Sequence, residues 1–170
     1  MSEAKALVVY FSRSGTTRAL ASAIAKMLAA DLEEICDCSN RAGPGGYVRS
    51  LVDAIRKRPA EIVPAGLSAS AYELVVIGSP VWAGSVSTPV RSYLTENRAR
   101  LPQVAFFCSF GGHGADGALR EMRQLAGEPA VAECKVTAAE AHRNPHAALA
   151  DFVTRLKRHL ARSSEFEWTC

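Results

Sequence analysis

The sequence lacks most of the features that would assign a function by composition. Its charges nearly cancel: 20 Lys and Arg stand against 17 Asp and Glu, a formal net charge of +3. That excess is too small to argue for a nucleic-acid surface, and no basic run carries interleaved aromatics. No apolar stretch approaches the roughly 18 residues of a membrane span. Met1–Lys5 carries both charge signs and leads into a short β-like run, not the apolar core of a signal peptide. Cysteine is sparse and odd in number, at Cys36, Cys38, Cys108, Cys134 and Cys170. Without regular spacing these imply no disulfide framework, and Cys36-x-Cys38 is too isolated to read as a zinc site. No metal is expected, and the expected compartment is a reducing cytoplasm. What is present is a globular composition: 170 residues, 48% hydrophobic and 22% charged. That length suggests one domain, burying roughly two thirds of its unfolded surface without staples.

Strands and helices alternate along the chain. Ala6–Phe11 is a continuous apolar run rich in β formers that stops at Ser-Arg-Ser-Gly, so it reads as a strand buried on both faces. Thr16–Ala30 places Leu20, Ile24, Met27 and Leu28 at helical spacing. A short strand is expected at Asp31–Cys36, a loop at Asn40–Gly46, a helix at Tyr47–Lys57 and a connection over Arg58–Ala71. Glu73–Gly78 is the second clear buried strand. Further helices are expected at Thr88–Thr95, with Pro89 in its first turn, at Asp116–Ala126 with Asp116 as its N-cap, and at Pro145–Arg162. Strands are expected at Gln103–Cys108 and Val131–Val136. Residues 1–162 then form one domain and 163–170 a tail. Strands with two buried faces alternating with helices imply an α/β fold with a doubly wound parallel sheet covered on both sides.

In such sheets a ligand sits beyond the carboxyl ends of the strands. The first loop there is Ser12-Arg13-Ser14-Gly15-Thr16-Thr17, joining a strand directly to a helix. Helix N-termini present unpaired amides and the positive end of the dipole, which together favour an anion. Four hydroxyls in six residues exceed what capping alone requires. The loop lacks the lysine and spacing of a P-loop and the Gly-x-Gly-x-x-Gly of a dinucleotide loop. Its chemistry suits a terminal monophosphate.

These residues resemble the flavodoxin signature, which they meet at Val8, Val9, Tyr10, Ser12, Gly15, Thr17, Ala21 and Ile24. The resemblance implies a five-stranded sheet of order 2-1-3-4-5 and bound FMN, with its phosphate in this loop. It also gives the next two loops a role. In Ser79–Ser87, Pro80, Val81 and Trp82 are expected to wall a flavin ring. Backbone groups from Val81 through Ala83 to Gly84 are expected at its polar edge, with Gly84 free to reorient a peptide. In Ser109–Ala115, Ser109, Phe110, Gly111, Gly112 and His113 are expected on the ring's other side. His113 is either a solvated loop residue or a hydrogen-bonding and proton-donating group.

The resemblance departs from the electron-carrier pattern in three respects. Carrier flavodoxins are strongly acidic, and this chain is mildly basic, so steering by the surface field has the opposite sign. The last strand runs without the inserted loop of long flavodoxins. The third loop has Gly and His where an aromatic is expected, which opens the flavin face to a small substrate. The expected function is therefore electron transfer through FMN by a monomer or homodimer. Its partner is either a redox protein or a small acceptor such as a quinone, reduced with NAD(P)H. Alternatives are a flavin-free module that binds another phosphorylated ligand on the same fold, and a response-regulator-like domain. The last lacks the acidic cluster it needs at the strand ends.

Overall fold

The computed structural model describes residues 5–38 and 60–167, with single positions 45, 48 and 52 between them. Most of the expected Asn40–Gly46 loop and Tyr47–Lys57 helix therefore lies outside the described residues. Gly45, Val48 and Val52 are helical, and Val48 is exposed, not on a core face.

Five strands form a parallel sheet: β1 (Ala6–Tyr10), β2 (Asp31–Glu34), β3 (Leu74–Trp82), β5 (Gln103–Phe110) and β6 (Ala130–Thr137). Their spatial order is β2-β1-β3-β5-β6, the expected 2-1-3-4-5 once a two-residue β4 (Ser85–Val86) is set aside. Register follows from pleating, since successive side chains must enter opposite cores. On one face Leu7, Val9, Val75, Ile77, Val104 and Phe106 pack beneath α2 (Thr88–Asn97) and α3 (Ala115–Ala126). On the other, Val8, Tyr10, Leu74, Val76, Ala105 and Phe107 pack beneath α1 (Thr16–Leu28), α4 (Ala138–Arg143) and α5 (Pro145–Glu167). Gly78 belongs to that second core by omission: a Cβ there would fall inside the Phe107 ring. The glycine makes room for a fully buried aromatic at the carboxyl end of the sheet.

Several boundaries differ from expectation for local reasons. β2 stops at Glu34, although the Ile35 amide still reaches the Tyr10 carbonyl at 2.7 Å. α1 ends at Leu28 because Ala29 turns left-handed, at φ 52°, and Ala30 returns its amide to Ala25. α5 continues to Glu167, beyond the expected end at Arg162, and the Ser164 hydroxyl accepts a 2.7 Å bond from Lys5. α4 was not expected at all. A capping box starts it, with the Glu140 amide donating to the Thr137 hydroxyl and the Thr137 amide donating to the Glu140 carboxylate. No helix among the described residues is long and apolar enough to cross a membrane.

Candidate functional site

The carboxyl ends of β1, β3 and β5 open into a cleft of about 290 Å³. Arg13, Ser14, Thr16 and Thr17 line it from the first loop, and Pro80, Val81 and Trp82 from β3. Ser109, Phe110 and Gly111 line it from the end of β5. Ser12, Gly15, Ala83, Gly84, Gly112 and His113, also expected at the site, do not line it. A separate cavity of about 150 Å³ lies beside Glu33, Cys36 and Tyr93 and has none of this hydroxyl-rich loop chemistry.

The first loop is shaped by Gly15. Its φ of +99° is left-handed, a conformation that costs a side-chain residue dearly, and it occupies the N-cap of α1. No side chain caps this helix, so the loop hydroxyls are not there as ordinary N-caps. The Ser12 hydroxyl instead accepts the Gly15 amide at 3.0 Å and folds the loop back on itself. Among the described residues the amides of Ser14, Thr16 and Thr17 have no protein partner. They sit at a helix N-terminus facing a cleft, where backbone donors and dipole act together on an anion. Thr17 is buried and its hydroxyl meets that of Ser109 at 2.8 Å. Arg18 takes no part, because its guanidinium pairs with Glu34 at 2.6 Å on the helix face.

The second loop is a strand and a turn. β3 runs on through Pro80 to Trp82, and β4 folds back antiparallel, pairing Val81 with Val86 and Trp82 with Ser85. Ala83 and Gly84 form the two-residue turn, both left-handed at φ 50° and 74°. Neither turn residue lines the cleft. The turn rests on the start of α3, where a Cβ on Gly114 would stand 2.7 Å from the Gly84 Cα, and one on Gly117 2.7 Å from the Gly84 carbonyl oxygen. Trp82 offers less wall than its type suggests. It is buried, with its ring set edge-to-face on Phe11 at 5.5 Å and 88°. Beneath the hairpin Arg91 pairs with Glu121 at 2.6 Å, and Glu121 also accepts from the Ser85 hydroxyl and, at 3.2 Å, the Val86 amide.

The third loop is open. Phe110 is half-buried, whereas Gly111, Gly112 and His113 are exposed. Gly114, at φ +91°, is the N-cap of α3. Asp116 is therefore not the cap that was expected. It lies in the first turn and binds Lys135 at 2.8 Å, which holds its carboxyl below the usual range.

A comparison with protein families matches residues 5–155 to the flavodoxin model. The chain belongs to the flavodoxin family. A search of curated proteins returned no match. Among solved structures, this flavodoxin-family chain is similar to a flavoprotein from Lactobacillus acidophilus crystallised with FMN. The two are 24% identical, with a TM-score of 0.70 over 83% of this chain and 98% of that one. The apo form of the Lactobacillus flavoprotein, solved by NMR, gives 24% identity and a TM-score of 0.61 over 84% and 98%. Oxidised flavodoxin 2 from Bacillus cereus gives 18% identity and a TM-score of 0.57 over 92% and 99%. At these identities the likeness shows the fold.

Two features of this flavodoxin-family site escaped the sequence reading. Ala138 completes the cleft from the start of α4, and the available signal was the Thr137-x-x-Glu140 spacing. The Arg91–Glu121 pair joins residues thirty apart that carry no local motif. Neither Cys108 nor Cys134 lines the cleft. Burial pushes the Cys108 thiol up to about 12 and the Cys134 thiol to about 11, so both stay protonated at neutral pH.

Proposed function

We propose that this chain binds FMN in the cleft and transfers electrons through it to a small acceptor such as a quinone. One observation carries the cofactor reading: the αL glycine cap at Gly15 leaves the amides of Ser14, Thr16 and Thr17 without partners at the cleft margin. The residues present fit the group. Ser14, Thr16 and Thr17 would hold the phosphate, with Ser12 shaping the turn from behind. Pro80 and Val81 would flank one side of the ring and Phe110 the other, with Trp82 backing the wall from the core. Bound FMN supplies the redox chemistry, and the protein supplies binding, orientation and shielding.

The small-acceptor reading is supported by the exposure of Gly111, Gly112 and His113. Among the described residues no bulky side chain beyond Phe110 closes that flank, which leaves room for a planar molecule to approach. Net charge supports it too, since +3 does not provide the acidic field that steers a carrier to basic proteins. A carrier role is the second reading, favoured by the absence of any dinucleotide-binding loop. Exposed Cys36 and Cys38 suit a reducing compartment such as the cytoplasm.

The test is optical. Protein purified with its cofactor is expected to absorb near ~370 and ~450 nm, and apoprotein to quench added FMN on binding. NADH or NADPH is then added with and without a quinone. Steady turnover with no second protein supports the reductase reading. Reduction only through a separate reductase would leave a carrier. Failure to bind FMN would leave a flavin-free module for another phosphorylated ligand.

A further inference from the structure

We infer that Ser109 is a positioning residue for the anion cradle, aiming the Thr17 hydroxyl at the cofactor's phosphate. The inference rests on the FMN reading above. Thr17 and Ser109 are 92 positions apart, on α1 and β5, and their hydroxyls meet at 2.8 Å. Both residues line the cleft and are almost wholly buried, at 2% and 6% exposure.

Counting protons gives the direction. Two hydroxyls carry two protons, and the bond between them uses one. Neither hydroxyl has a second partner among the described residues. One buried O–H therefore lacks a protein acceptor, and a buried polar group left unpaired is costly. The cleft is the place where that proton finds an acceptor. Thr17 stands in the first turn of α1 beside the unpartnered amides of Thr16 and Ser14, where an anion is held. Ser109 stands at the end of β5, next to Phe110 and Gly111. With an anion in the cradle, Thr17 donates to it and Ser109 donates to Thr17. A donor chain that ends on a charge is polarised along its length, so Ser109 strengthens a bond it does not itself make. The same bond fixes the distance between the phosphate end of the cleft and its Phe110 flank.

The experiment compares FMN with riboflavin, which keeps the ring and the ribityl chain and lacks the phosphate. Both are titrated into the full-length apoprotein of the wild type, Ser109→Ala, Thr17→Val and the double variant. Melting without ligand is followed in parallel. Loss of a hydrogen bond to a charged group, worth ~1.5–3 kcal/mol, predicts that Thr17→Val weakens FMN binding at least about tenfold. Ser109→Ala removes a hydrogen bond between neutral groups and is expected to weaken it about fivefold, leaving riboflavin binding within about twofold. The double variant is expected to bind FMN no worse than Thr17→Val, because Ser109 acts through Thr17. Equal losses of FMN and riboflavin in Ser109→Ala would overturn the inference and place the Ser109 hydroxyl on the ribityl chain or ring. Additive losses in the double variant, or no loss in Ser109→Ala, would overturn it as well. A wild type that binds neither compound would sink the flavin reading itself, a failure visible before any variant is made.

Discussion

The two walls of the cleft solve opposite problems. The hairpin over Val81–Val86 is tied down from beneath by side chains. Glu121 gathers Arg91, the Ser85 hydroxyl and the Val86 amide, and the Ala83–Gly84 turn rests on α3. The Ser12–Thr17 turn does the reverse. It closes one bond, Ser12 to Gly15, and leaves the amides of Ser14, Thr16 and Thr17 facing the cleft. First-turn amides have no partner within their own helix, and here no side chain supplies one. The difference is one of use: the hairpin's polar side chains are engaged in an ion-pair network that holds shape, and the turn's amides are left to the cleft.

That contrast can be broken from either side. The largest effect is expected from Gly114→Ala. It places a Cβ 2.7 Å from the Gly84 Cα at a residue with φ +91°. Left-handed strain and overpacking each cost ~1–3 kcal/mol, so a loss of about 3 kcal/mol is expected in denaturant unfolding. Glu121→Gln removes the charge opposite Arg91. Breaking a buried pair costs ~3–5 kcal/mol, and the slight exposure of both partners reduces this to about 2–3 kcal/mol. The melting temperature should fall in the absence of ligand, with riboflavin and FMN affinities reduced alike. Ser12→Ala with Thr17→Ala acts on the other wall. It should weaken FMN binding at least about tenfold while costing about 1 kcal/mol of stability, because its main loss is to the ligand. If stability fell as far as affinity, the turn would be structural like the hairpin. The smallest effect is expected from Ala83→Gly. Relief of a left-handed alanine should raise stability by about 0.5–1 kcal/mol and leave FMN affinity unchanged.

Much of this fold could be read from the chain because its central strands are apolar on both faces. Leu7, Val9, Val75 and Ile77 serve one core while Val8, Leu74 and Val76 serve the other, so the signal is a run rather than an alternation. The Ser12–Thr17 turn was equally legible as a strand-to-helix turn, since its hydroxyls and Gly15 are contiguous. What was lost depends on distance. Nothing near Gly84 announces that Gly114 and Gly117 lie against it, so a hairpin read as a loop. Nothing near Trp82 announces Phe11, so the burial of its ring against that partner could not be read. Asp116 read as a cap because the preceding glycine's left-handed φ is invisible in sequence. α4 was missed because six residues are too few for periodicity to show.

The contact of Gly84 with Gly114 and Gly117 is backbone against backbone. It ties the hairpin to the loop leaving β5 at a point where no side chain intervenes. The gap between these two segments is thus gauged by the main chain. Exchanges at Val81 or Phe110 can alter the lining of the slot while its width stays put. The lining can drift through such exchanges, on a frame that Gly114 and Gly117 keep constant against Gly84.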